Sequence, residues 1–189
     1  MMAALEDRVL SSNPLLETFG NAKTLRNDNS SRFGKFIHIN FSTEKGTITG
    51  ARISNYLLEK TRITTQMEGE RNYHIFYQLF AGANADLRNE LGLDSTSMFR
   101  YLGYRPSTKT QNDESNFMKT MECLSNVGLA TEEQTIVLRI VAAVLHLGNI
   151  SFEEVEDENH SAVITESSRS SLLKACELLG LKESDVADA

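Results

Sequence analysis

The sequence predicts a mixed α/β chain, predominantly helical, with one antiparallel hairpin. Three observations carry that reading. FIHINF, residues 36–41, alternates strictly, with Ile37, Ile39 and Phe41 on one face and Phe36, His38 and Asn40 on the other, the period of a strand. STEKGT then supplies a turn in which Gly46 can take a positive φ, and ITGARISNYLL returns as the second strand. Beyond Arg62 the apolar residues recur at helical spacing. A two-stranded unit is marginal by itself, so the hairpin reads as part of an incomplete sheet.

The elements follow in order. Residues Ala3 to Phe19 form a helix with Leu5, Val9, Leu15, Leu16 and Phe19 as its apolar positions and an expected break at Pro14. A polar loop occupies about 24–35, the hairpin about 36–58, and a helical region about 62–189. His38 reads as a solvated or hydrogen-bonded strand residue rather than a ligand. NYHIFYQLF is apolar nearly all round, which predicts a buried helix with Tyr73, Phe76, Tyr77 and Phe80 in the core. SNFMKTMECLSNVGL places Phe117, Met121, Leu124 and Val127 at helical spacing. Thr131 and Gln134 fit a capping box before TIVLRIVAAVLHLGN, which Gly148 and Asn149 should end. FEEVEDENH reads as an acidic, solvated loop. SSLLKACELLGL offers Leu172, Leu173, Cys176 and Leu179 as a last amphipathic stripe.

A chain of 189 residues, 40% hydrophobic and 24% charged, fits one domain or a substantial piece of a larger one. Its net charge of −7 argues against a mainly electrostatic grip on nucleic acid. The longest apolar run, Ile136 to Leu147, contains Arg139 and His146 and is too short to span a bilayer, so no transmembrane segment is expected. MMAALEDRVL lacks the basic start and apolar core of a secretory signal. Cys123 and Cys176 lie far apart in helical patterns and read as reduced core thiols. Nothing groups into a metal cluster.

The informative stretch is TLRNDNSSRFGKF, residues 24–36. Magnesium takes hard oxygen ligands, and a serine hydroxyl supplies one without a full charge. Side-chain amides and backbone N–H groups can bind phosphate oxygens or fix an attacking water. An arginine can latch such a loop through a bidentate pair with a carboxylate. A plain polar turn capping the preceding helix accounts for the composition as well, because Asn, Asp and Ser favour turns for local reasons.

The full string, LLETFGNAKTLRNDNSSRFGKF, resembles the switch I region of myosin motor domains with its leading helix. YLLEKTRITTQMEGERNYHIFYQL, IVAAVLHLGNISF and SSLLKACELLGL resemble later segments of the same family, in the same order, so the likeness runs from about Leu5 to Leu181. It implies a partial P-loop NTPase-type motor that contributes switch I and the upper 50-kDa region, its hairpin lying at the edge of a central sheet. ATP and Mg²⁺ are then the expected ligands, actin filaments the expected partner, and the cytoplasm and cytoskeleton the expected location. By position, Asn27 would contact the phosphates, Ser31 would place its hydroxyl on Mg²⁺, and Ser30 would hold the lytic water. Asn29 would shape the loop, Asn21 and Arg26 would flank the pocket, and Arg32 would form a gate with a glutamate of a second switch loop. Asp28 carries no catalytic duty. Glu59, Lys60, Glu70 and Arg71 are expected to make structural ion pairs.

No GxxxxGK[ST] phosphate loop and no DxxGFE-like second switch loop occur in the sequence. The expectation is therefore a fragment of an actin-dependent ATPase that is inactive alone, the remainder of the motor supplying the phosphate cradle. Two alternatives stand beside it: a short non-motor interaction or regulatory protein derived from such a head, and an unrelated nucleotide hydrolase sharing the loop.

Overall fold

The computed structural model describes residues 5–93, 99–103, 112–155 and 162–187. In chain order its elements are α1 (Leu5–Gly20), β1 (Asn21–Ala22), β2 (Ser30–Ser31), β3 (Gly34–Phe41), β4 (Ile48–Tyr56), α2 (His74–Gly82), α3 (Ala85–Leu91), α4 (Asp113–Val127), α5 (Thr131–Gly148), β5 (Phe152–Glu154), β6 (Ala162–Ile164), α6 (Arg169–Leu179) and α7 (Glu183–Ala187). Two compact units result: Met1–Gly82 with Lys109–Gln134, and Ala83–Thr108 with Thr135–Ala189. The mixed, largely helical class is as expected. The β content exceeds expectation, with three separate antiparallel ladders: β1–β2, β3–β4 and β5–β6.

In the first unit α1 runs unbroken through Pro14, contrary to the expected interruption. The physical reason lies along its length. Arg8 donates from Nη2 to the Val127 carbonyl at 2.9 Å, Asn126 donates from Nδ2 to Ser11 Oγ at 3.2 Å, and Thr18 meets Thr120 Oγ to Oγ at 3.1 Å. Both halves of α1 are thus tied to α4 or the residue ending it. The single backbone bond that an exposed proline removes does not divide the helix. Thr120 also donates to Gln78 Oε1 at 2.7 Å, so α1, α2 and α4 share a satisfied polar junction inside an otherwise apolar core.

That core matches the one the apolar helix predicted except at Tyr77, which is half-buried. Ile75, Phe76, Leu79 and Phe80 of α2 are buried, as are Tyr73 just before it and Phe117 and Leu124 of α4. Gly82 ends α2 against the Phe117 ring, which occupies the space that any Cβ there would need. On α4 the buried side is Phe117, Thr120, Cys123 and Leu124, while Met121 and Val127 are only half-buried.

The β3–β4 hairpin pairs Ile37 with Ile53, Ile39 with Ala51 and Gly34 with Tyr56, and a bulge falls between Asn40 and Phe41. Gly46 has φ of 65°, as the turn demands. His38 is exposed, as expected. At the start of α5 the anticipated capping box is displaced by one residue. Glu133, not Gln134, reaches back, its carboxylate accepting from the Ala130 N–H at 2.8 Å. Gln134 is buried and donates instead to the Leu129 carbonyl and Ser125 Oγ. Ala130 has no side-chain oxygen to return the bond, so only half a box forms, whereas the Ser/Thr-first pattern pointed to Thr131.

In the second unit Asn84 caps α3 by accepting from the Leu87 N–H, and Gly92 closes it in the left-handed conformation. His146 of α5 is buried and donates from Nε2 to the Leu91 carbonyl at 2.9 Å. The helix ends at Gly148, as expected, with the Tyr101 ring packed on that glycine. FEEVEDENH is not simply a loop. Phe152–Glu154 pairs with Ala162–Ile164 as a short ladder, and Glu156 to His160 lie outside the described residues. On α6 the buried residues are Leu172, Ala175, Cys176 and Leu178, whereas Leu173 and Leu179 are exposed. The expected stripe was therefore only half right: Leu172 and Cys176 join Ile150 in a local core, while Leu173 and Leu179 stay exposed. Both cysteines are free and buried. Among the described residues no helix is long and apolar enough to cross a membrane.

Candidate functional site

The polar loop emerges from α1 through a miniature ladder. Asn21 pairs with Ser31 and Ala22 with Ser30, which closes residues 23–29 into a loop. Within it the short side chains do local work. The Thr24 N–H donates to the Asn27 carbonyl at 2.8 Å, and the Asn29 N–H donates to Asn27 Oδ1 at 2.9 Å. Lys23 pairs with exposed Asp28 at 2.8 Å and, by hydrogen bonding first and charge second, holds that carboxyl below its ordinary pKa. The polar-turn explanation of the composition is thus partly realised. Arg26 and Asn27 stay exposed.

Ser30, Ser31 and Arg32 continue the ladder. Ser31 is exposed, and its hydroxyl donates to the Phe33 carbonyl at 2.9 Å. Ser30 Oγ accepts from Arg32 Nη1 at 3.1 Å. Arg32 is fastened through its backbone on both sides: its N–H donates to the Gly20 carbonyl, and its carbonyl accepts from the Glu59 N–H, both at 2.9 Å. Its Nε reaches Glu59 Oε2 at 2.5 Å.

Glu59 is the residue that sequence reasoning assigned only a structural ion pair. It bridges two cations, because Oε2 also accepts from Arg62 Nε at 2.8 Å. Arg62, buried at 5% exposure, carries the chain onward to Glu70 at 3.0 Å and to the Arg71 carbonyl at 3.2 Å. Arg71 pairs with Asp113 at 2.9 Å and lies over the Tyr77 ring. Nothing in a sequence separation of 27 residues signals that Arg32 and Glu59 meet. The left-handed turn at Leu57, with φ of 56°, helps swing the chain from β4 back toward Arg32.

Burial pushes the Glu59 carboxyl up, but the hydrogen bonds from Arg32 and Arg62 outweigh it, and the net shift is downward from 4.5. A depressed carboxyl contributes stability above the ordinary carboxylate range and loses it as pH falls through the depressed value. The expected result is a Glu59 carboxyl carbon, followed by ¹³C NMR with glutamate labelling, that titrates below pH 4.5. Titration at or above that value would show that the pair does not form.

Asn29 is the second convergence point. Its Oδ1 faces Asn21 Nδ2 and His74 Nε2, each at 3.0 Å, and its Nδ2 donates to Glu17 Oε2 at 3.1 Å. Asn21 is 4% exposed, and its own Oδ1 has no hydrogen-bond partner among the described residues. Burial, and then the charge of Arg71, pushes the His74 imidazole below its ordinary pKa. Of the residues singled out from sequence, Asn21, Asn27, Asn29, Ser30, Ser31 and Arg32 therefore belong to one connected loop, while Arg26 stands apart. Glu17, Glu59 and His74 join them unannounced.

The donor set is hard oxygen, amide and guanidinium. Among the described residues no three His, Cys, Asp or Glu side chains group as a metal-binding set. An exposed serine hydroxyl, exposed amides and a buried amide oxygen with no hydrogen-bond partner among the described residues are hard donors of the kind that suit Mg²⁺ and phosphate.

Comparison with known proteins settles the family. The sequence model of the Myosin head (motor domain) matches residues 1–189. The chain is 42% identical to human unconventional myosin-VI over 210 aligned positions, covering 96% of this chain and 16% of that protein. It is 48% identical to Myosin-1 of Arabidopsis thaliana over 174 positions, covering 91% of this chain and 15% of the relative. Myosin-J heavy chain of Dictyostelium discoideum is 47% identical, with 96% of this chain and 8% of the relative covered. The chain thus spans less than a fifth of the length of these relatives. With the family model matching throughout and 42–48% identity over nearly all its residues, the chain belongs to the myosin head, or motor domain, family.

Proposed function

We propose that residues 24–35 are the switch I wall of an MgATP pocket in an actin-based, ATP-driven cytoskeletal motor. The observation that carries this reading is the loop itself: Ser30, Ser31 and Arg32 sit consecutively on a strand end fixed at Gly20 and Glu59, with Ser31 exposed. Mg²⁺, when bound, neutralises phosphate charge and polarises the transferring group. This chain's part is to position. Ser31 offers one oxygen ligand, Asn27 an exposed amide for phosphate oxygens, and Ser30 a hydroxyl and carbonyl for the attacking water. Arg32 holds Ser30 in place while its guanidinium is free to exchange Glu59 for another carboxylate. In this reading the hairpin is the edge of a central sheet, the motor works on actin filaments in the cytoplasm, and its phosphate-binding loop and second switch loop come from other sequence.

The test is ATP hydrolysis by the full-length protein, with and without actin filaments. Ser31→Ala should raise the Mg²⁺ concentration for half-maximal turnover on the order of tenfold. An unchanged Mg²⁺ dependence would remove the metal role from Ser31. Hydrolysis at motor rates by the purified 189 residues alone would overturn the shared-pocket reading.

A further inference from the structure

The loop's placement depends on one residue that none of its polar partners in sequence would suggest. Asn29 immediately precedes Ser30, and its side chain is held by three groups from three elements: Glu17 of α1, Asn21 of β1 and His74 at the first position of α2. Their hydrogen-bond chemistry fixes every orientation. A carboxylate only accepts, so Asn29 must present its Nδ2 to Glu17. Its Oδ1 then faces Asn21 Nδ2 and His74 Nε2, and both nitrogens must donate. His74 therefore carries its proton on Nε2 in this arrangement. The bridge between Ala22 and Tyr73 brings the start of α2 to the base of the loop, so the imidazole arrives on a backbone that is itself anchored.

We propose that His74 is a positioning residue for Ser30 and Ser31, acting through the side-chain amide of Asn29, and the proposal rests on the reading of that pair as the wall of a nucleotide pocket. Removing the Nε2–H leaves Asn29 Oδ1 with one donor rather than two and frees the loop's last residue to rotate. Misplacement of a reacting group by about 1 Å can cost on the order of a hundredfold, and loss of one of three tethers is expected to cost less.

The experiment is steady-state MgATP hydrolysis by the full-length protein and its His74 variants. His74→Leu should lower kcat about tenfold with KM for MgATP within about twofold. His74→Gln, whose amide nitrogen can stand where Nε2 stands, should return kcat to within about threefold of wild type. His74→Asn, too short to reach, should behave as His74→Leu and carries the test if the leucine variant does not fold. Equal losses in the Gln and Asn variants, or wild-type kcat in His74→Asn, would show a structural role or none. An inactive wild-type protein would instead bring down the pocket reading, and this proposal with it.

Discussion

Arg32→Ala in the full-length protein is expected to lower the rate of ATP hydrolysis by about two to three orders of magnitude, the usual scale for removing one preorganised electrostatic group. The structure explains why the loss should be functional. Glu59, deprived of Arg32, keeps Arg62 on both carboxylate oxygens, so no buried charge is abandoned. The pair is itself part-exposed and worth about 1 kcal/mol or less to stability. What disappears is the guanidinium that holds Ser30 and that would close a gate with a carboxylate supplied from outside this chain. Arg32→Lys keeps the charge but not the planar fork, and should recover only a small part of the rate. Turnover close to wild type in the alanine variant would sink the assignment of Arg32, and with it the reason for placing Ser30 at the attacking water.

Phe117→Ala is expected to be the most destabilising single change in the first unit, by about 3–5 kcal/mol. The ring is 5% exposed and lies in the space beside Gly82, where no side chain is available to fill the vacancy. Hydrogen exchange of the α2 and α4 amides should accelerate by on the order of 10²–10³-fold, because each 1.4 kcal/mol is about a factor of ten. Since His74 begins α2, the loop should feel this change indirectly. Unchanged protection in α2 would mean that the helix is held by something other than the α4 contact.

How far the sequence revealed all this depends on the range of the interaction. The hairpin was legible because period-two alternation and the Gly46 turn are local and agree with each other. The apolar all-round pattern of α2 announced a buried helix before any contact was known. Pro14 misled because propensity is local, whereas the bonds that hold α1 together come from Thr120, Asn126 and Val127, more than a hundred residues away. The short β5–β6 ladder was missed because the acidic residues of FEEVEDENH masked a strand with little alternation to show. In the loop the donor and acceptor types of Asn27, Ser30, Ser31 and Arg32 are plain from the residues, and their roles are what the resemblance implies. The partners Glu59, His74 and Glu17 could not, since each lies on a different element and is brought in by folding alone.

The closure of residues 23–29 by the β1–β2 ladder, with Arg32 fastened at Gly20 and Glu59, has a thermodynamic consequence. Confining a backbone residue to one conformation costs about 1–2 kcal/mol in conformational entropy. In this chain much of that loss is incurred when the ladder and the Asn29 contacts form, as part of folding. A ligand arriving at the loop therefore has little chain to order, and its binding free energy is not consumed in doing so. Movement of the loop would then be displacement of a formed piece together with the root of the hairpin, since Arg32 cannot shift far without carrying Gly20 and Glu59 along.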